Sequence, residues 1–219
     1  EAYAMLLVQA KTSIPTPKVL RMFLDDGPDN YRLVLEKIEG RTLKSCWETM
    51  SLMQKISVAK ILRRYVKALR NIDTAQIRLQ IPGPVLGEKE PEPEATRPCL
   101  GWVDDDSSDA GPFKYQSEMA KWFNERLRRS YDFHDTESYM IPFDHSKPLV
   151  FVMGSLSMDK IIIDDDGCLW LTDFSRAGIY PPWFEFCGMR GDQRRKIPRS
   201  WKWVRRFVCG PYGDQERFL

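Results

Sequence analysis

Residues 149–174 constrain the fold more than any other stretch. Residues 149–152 (LVFV) are a short apolar run that reads as a strand. The loop Met153-Gly154-Ser155-Leu156-Ser157-Met158-Asp159-Lys160 follows. Ile161–Ile163, an Asp-Asp-Asp-Gly turn and residues 168–171 then read as a hairpin, because turn formers separate two apolar runs. Thr172-Asp173-Phe174 leaves it.

The flanking segments supply one hairpin and several helices. Residues 1–11 (EAYAMLLVQAK) read as a helix with Met5 and Val8 on an apolar face. Ile14-Pro15-Thr16-Pro17 breaks it, since proline removes a donor and restrains its predecessor. Residues 18–24 and 31–38 read as antiparallel strands joined by the turn-rich DDGPDN, with Glu39-Gly40 ending the second. A long helix is expected over 52–72, where Ile56, Ala59, Leu62, Val66 and Leu69 recur near a helical period. Residues 80–112, rich in proline, glycine and acids, read as a loop-rich insert. Residues 115–130 form a second helix with Met119, Trp122, Phe123 and Leu127 on one face. Tyr180-Pro181-Pro182-Trp183 opens another, and the last third is helical and aromatic through Trp201, Trp203 and Phe207. No internal repeat is visible.

Composition narrows the function classes. The 219 residues suffice for a sizeable core, with seven Trp, eight Tyr and eleven Phe to fill it. Lys+Arg 33 against Asp+Glu 31 gives a net charge of +2, which argues against a nucleic-acid partner. Cys46, Cys99, Cys168, Cys187 and Cys209 are odd in number and far apart, so reduced thiols in a cytoplasmic protein are expected. With only His134 and His145 present, no metal site is expected. No apolar run is long enough to cross a membrane, and no membrane partner is expected. The start Glu1-Ala2-Tyr3 carries no signal-peptide pattern, and the chain reads as trimmed or as part of a longer product.

Strand, loop, hairpin and aspartate in this order resemble the catalytic layout of the kinase fold. The segments IPTPKVL, YRLVLEKIEGRTL, GPF, LVFVMGSLSMDKIIIDDDGCLWLTDFSRAGIYPPWFEF and GPYGDQERFL resemble, in order, the aminoglycoside phosphotransferase and choline-kinase-like family, particularly its fungal members. The resemblance runs over nearly the whole chain. It implies an α+β protein-kinase-like fold with a reduced N-terminal lobe at 1–40 and a mostly helical C-terminal lobe at 41–219. Residues 36–38 would be the hinge that contacts adenine in family members.

The same resemblance marks what has changed. The family loop reads His-Gly-Asp-Leu, with a metal-binding asparagine five positions after the aspartate. Here Met153 takes the histidine position, Ser155 that of the catalytic aspartate and Lys160 that of the asparagine. Of these parts only the later metal aspartate, Asp173, is kept. A serine has no carboxylate to accept a proton, and losing a general base costs ~10²–10⁴ in rate. An ammonium cannot ligate magnesium, and Lys160 is expected to pair with Asp173 instead. Glu1 falls near the family's lysine-pairing glutamate, and the strands that carry the phosphate loop and lysine are expected to be absent. No GxGxxG or Walker pattern occurs.

Two functions remain in view besides residual phosphotransfer. The preferred one is a repurposed enzyme that folds a hydrophobic small molecule into a reactive shape, as in a cyclisation or isomerisation of fungal secondary metabolism, where orientation does the chemistry. The other is a pseudokinase-type binding or scaffold module. Asp173 and Ser155 are the candidate catalytic residues; Lys160, Ser157, Met153, His145 and Tyr180 are candidates for holding a substrate. Asp144-His145 could form an acid–base pair, with a surface or capping histidine the plainer reading, and Ser155 and Ser157 read as plain loop hydroxyls before they read as nucleophiles. No cofactor is expected. The basic residues Arg194, Arg195 and Lys196 with Arg199, Lys202, Arg205 and Arg206 read as a solvated helix face or an anion-binding one. An open edge on the first hairpin makes a homodimer an expectation.

Overall fold

The computed structural model describes residues 1–24, 31–74, 81–85, 111–134, 142–190 and 197–218. Helix α1 (Ala2–Lys11) buries Ala4, Met5 and Val8 along one face. Gln9 donates to Thr16 Oγ1 at 3.0 Å and to Pro17 O at 2.8 Å, fastening the proline-bearing exit to the helix. Strands β1 (Val19–Leu24) and β2 (Tyr31–Leu35) pair antiparallel, with Met22 opposite Leu33. The turn expected at 25–30 lies outside the described residues. β2 is shorter than expected: after Glu36 N–H reaches Lys18 O at 2.8 Å, the chain leaves the ladder. Gly40 then turns at φ +152°, where a side chain would strike the backbone of Ile163.

Strand β3 (Arg41–Thr42) and the short helix α2 (Leu43–Cys46) lead to α3 (Leu52–Arg70). A capping box starts α3: Ser51 Oγ accepts from Gln54 N–H, and Gln54 Oε1 accepts from Ser51 N–H. Val58, Ala59, Leu62, Val66 and Leu69 form its buried face. Of the insert expected at 80–112, residues 80 and 86–110 lie outside the described residues, as do 194–196 of the expected basic face. Gly83–Pro84 is a short strand, β4. The second long helix, α4, spans Gln116–His134.

Two three-stranded sheets frame the loop of interest. Strand β5 (Val150–Val152) pairs antiparallel with β8 (Gly178–Tyr180), whose other side carries β4. The hairpin expected from sequence forms as β6 (Ile161–Ile163) and β7 (Leu169–Leu171), with Ile162 opposite Trp170. β3 pairs along the free side of β6. Sequence reading placed a helix start at Tyr180. Instead Tyr180 ends β8, because the proline after it favours extended backbone, and α5 (Trp183–Gly188) begins after Pro182. Helix α6 (Arg199–Cys209) follows.

The core has two parts. The larger joins α1, α3, the β6–β7 hairpin and α6 through residues such as Met5, Leu62, Leu171 and Trp201. The smaller gathers Met119, Phe123, Phe143, Tyr180, Trp183 and Phe184 between α4 and α5. Leu149, Cys187 and Tyr212 pack against both. The described cysteines, Cys46, Cys168, Cys187 and Cys209, are free thiols.

Candidate functional site

The loop 153–160 leaves β5 and is held from below. Met153 N–H donates to Glu185 Oε2 at 2.8 Å. Glu185 comes from α5 and is only 1% exposed. Burial pushes its carboxyl up to about 7, against the pull of the Met153 N–H, the Arg70 charge and the Gly154 N–H. Gly154 takes φ +75°, which lets the chain turn directly above this carboxyl. Farther along, Ser157 N–H donates to Ser155 O at 2.6 Å, and Lys160 N–H to Ser157 O at 3.0 Å.

Thr172 ties this loop to the strand exit beside it. Its N–H and its hydroxyl both donate to Lys160 O, at 2.9 and 3.0 Å. That double contact sets Lys160 next to Asp173. The pair expected from sequence forms: Lys160 Nζ lies 2.5 Å from Asp173 Oδ2. Asp173 Oδ1 accepts from Ser175 Oγ at 2.5 Å and Ser175 N–H at 3.2 Å. Ser155 Oγ donates to the Asp173 carbonyl. Asp173 itself is left-handed at φ +65°, a conformation aspartate tolerates better than most residues. Burial raises its carboxyl pKa, but Lys160 and Ser175 outweigh that and hold it below the usual carboxylate range. Glu1 Oε1 accepts from Phe174 N–H at 3.2 Å, which brings the start of α1 to the same place.

Four of the seven residues singled out from sequence therefore meet. Ser155 and Ser157 are buried in the loop, while Lys160 and Asp173 are partly exposed above it. The other three are placed differently. Met153 is fully buried, and Tyr180 is 1% exposed and stacks on Phe184 with centroids 4.9 Å apart. Both side chains are packing. His145 is exposed on the segment ahead of β5, and the Asp144 carboxylate accepts from Ser146 N–H and Oγ. Sequence reading passed over Glu185 and Thr172. The signal for Glu185 was a single carboxylate inside Trp183-Phe184-Glu185-Phe186, an apolar run with no other charge.

The donor set does not suit the magnesium that the kinase fold implies. Mg²⁺ requires near-octahedral oxygen ligation. Here one carboxylate is available, its two oxygens engaged by an ammonium and a hydroxyl. No group of three His, Cys, Asp or Glu that could hold a metal occurs among the described residues. A second ion pair, Lys44 to Asp159 at 2.8 Å, flanks the loop. The site can hold a fixed, neutral pair of charges and present them to a ligand; position 155, a serine, offers no carboxylate to take a proton from an attacking hydroxyl.

No family model matches the chain, and no curated protein matches it in sequence. Solved structures do. The gentamicin complex of the aminoglycoside phosphotransferase APH(2")-IIa aligns at TM-score 0.53 and 12% identity, over 98% of this chain and 66% of that one. The streptomycin–ATP complex of the same enzyme gives 0.53 and 12%, over 98% and 68%. A thermostable mutant of APH(4)-Ia with ADP and hygromycin B gives 0.48 and 13%, over 85% and 59%. The chain thus spans 59–68% of the length of these structures. At this identity the likeness establishes the architecture: an α+β, kinase-like fold of the aminoglycoside phosphotransferase type.

Proposed function

We propose that this chain is a pseudokinase-type binding module, in which the loop of a kinase-like fold captures a ligand without transferring phosphate. The observation that carries this reading is the 2.5 Å contact between Lys160 Nζ and Asp173 Oδ2. It satisfies the aspartate with an ammonium of the chain itself. Ser155 supports the reading as well, since its hydroxyl donates to the Asp173 carbonyl and offers no base. The ligand class we propose is a small molecule with one polar group to meet the charge pair.

A second reading has one observation in its favour. Asp173 is a half-buried carboxylate kept ionised beside a fixed cation, and this pre-set charge pair could orient a substrate for an ATP-independent cyclisation or isomerisation, although the lowered pKa makes the carboxylate a weak base. Tyr180, the ring expected to hold a substrate, gives this reading no support, because it packs with Trp183 and Phe184 in the core.

Calorimetric titration with ATP and magnesium tests the first reading. The wild-type chain is expected to give no magnesium-dependent heat. Lys160→Asn frees Asp173 and is expected to gain a magnesium-dependent rise in melting temperature. Magnesium-dependent ATP binding by the wild type would overturn the proposal and reopen phosphotransfer. Turnover of a hydrophobic metabolite without ATP, lost in Asp173→Ala, would select the second reading.

A further inference from the structure

Helices α3 and α6 pack against each other, and their charge is one-sided. α3 carries six basic residues and α6 four; neither carries an acidic one. Across the whole chain Lys+Arg exceed Asp+Glu by only two, so this region concentrates positive charge that is balanced elsewhere. Some of these cations have structural work. Lys55 lies over the Trp47 ring, and Arg70 donates to Pro182 O and Cys209 O. Arg205, expected on the basic face, is instead 4% exposed and donates to Phe186 O.

Six others face solvent. On α3 they are Lys60, Arg64 and Lys67, at the spacing of one helical stripe. On α6 they are Arg199, Lys202 and Arg206, again one stripe. None of the six makes an ion pair among the described residues. Arg63 joins the helices, its guanidinium 4.8 Å from the Phe207 ring centroid. Phe207 in turn stacks on Trp203, with centroids 5.5 Å apart and planes 7° off parallel. Trp203 remains 52% exposed beside its basic neighbours. Like charges one turn apart destabilise a helix, so an anion covering this face stabilises the fold that presents it.

We infer that the α3–α6 face docks an acidic polypeptide segment that carries an apolar or aromatic residue. Arginine forks and lysine ammoniums match carboxylates on both sides, and the braced indole supplies the kind of aromatic anchor that dominates protein interfaces. The other anionic surfaces fit less well. A bilayer engages apolar side chains spread along a helix face. Here the large exposed ones on the two helices are Trp203 and, in the first turn of α3, Leu52 and Met53. Nucleic acid draws on a positive field that outlasts contact, which 31 carboxylates offset.

Fluorescence anisotropy with a labelled Asp/Glu-rich peptide bearing one Phe tests this on the full chain. Saturable binding that weakens with salt is expected. Lys202→Glu with Arg206→Glu should weaken it by about tenfold or more, Lys67→Glu and Trp203→Ala each by a few-fold, and Lys121→Glu on α4 not at all. Circular dichroism confirms that each variant is folded, and the single exposed reversals keep the test open if the double variant is not. Equal losses in Lys121→Glu would make the binding a diffuse charge effect and overturn the proposal. So would no binding of the peptide, including the case in which phosphatidylserine vesicles or a single-stranded oligonucleotide bind to this face instead.

Discussion

Glu185 is a carboxyl group placed where its charge is costly. It is buried and holds the loop through Met153 N–H, and its pKa is pushed up to about 7 by desolvation. The groups around it, the Arg70 charge and the N–H groups of Met153 and Gly154, only partly oppose that. Unfolded, the same carboxyl titrates near 4.5. Between these values the folded chain holds a proton that the unfolded chain has lost. Stability is therefore complete below about 4.5 and falls as pH rises toward 7, by on the order of 3 kcal/mol. Glu185→Gln keeps an acceptor for Met153 and should flatten this slope, measured by urea unfolding between pH 4.5 and 7. Asp173 has the opposite sign. Its lowered pKa adds stability above the ordinary carboxylate range that is lost on acidification, and Lys160→Met should reduce that acid-side change by less than about 1 kcal/mol, since the pair is partly exposed. The Lys160–Asp173 pair was legible because both positions have counterparts in a family loop. Met153 was not legible as packing, because a family position says where a backbone runs and not which way a substituted side chain turns.

At the level of elements, periodicity carried the helices and failed on short strands. α1, α3, α4 and α6 announce themselves by apolar faces, and α3 also by its Ser51–Gln54 capping box. β3, β4 and β8 span two or three residues, too few to show alternation. They exist because partners already stand beside them. Gly178 shows how tightly β8 is seated: a side chain there would strike both the Tyr180 ring and the Gly83 carbonyl of β4. Gly178→Ala should cost about 1–3 kcal/mol by overpacking and should loosen β4 from β8. Gly167, in the β6–β7 turn, gives the contrast. A side chain there meets nothing within 4 Å, and only the φ of +80° resists it. Gly167→Ala should therefore cost about 1 kcal/mol. Chemical denaturation ranks the two; equal losses would mean that the chain yields around Gly178 and that the β4 contact does not govern β8.

Over the whole molecule, a group of the aromatic residues builds a second core. Composition could count those rings but could not place them, since burial in a core and lining of a pocket draw on the same residue types. Phe123 touches Trp122, Phe143, Trp183 and Phe184, and Tyr180 lies stacked on Phe184 in the same cluster. The larger core reaches this cluster through Leu149, Cys187 and Tyr212, and β5 contributes to both with Phe151 on one side and Val152 on the other. Adjacent residues of a strand face opposite ways, so a three-residue strand is enough to bind the two cores together. The loop that carries Ser155 starts from that strand, so its geometry depends on both. Leu62→Ala in the first core should cost about 2–5 kcal/mol, and Phe123→Ala in the second about 3–5 kcal/mol. If β5 couples them as the packing implies, both variants lower one shared transition, with tryptophan fluorescence and far-ultraviolet circular dichroism melting together. Two transitions, one moved by each substitution, would show that the cores unfold separately and that the loop is positioned by the larger one alone.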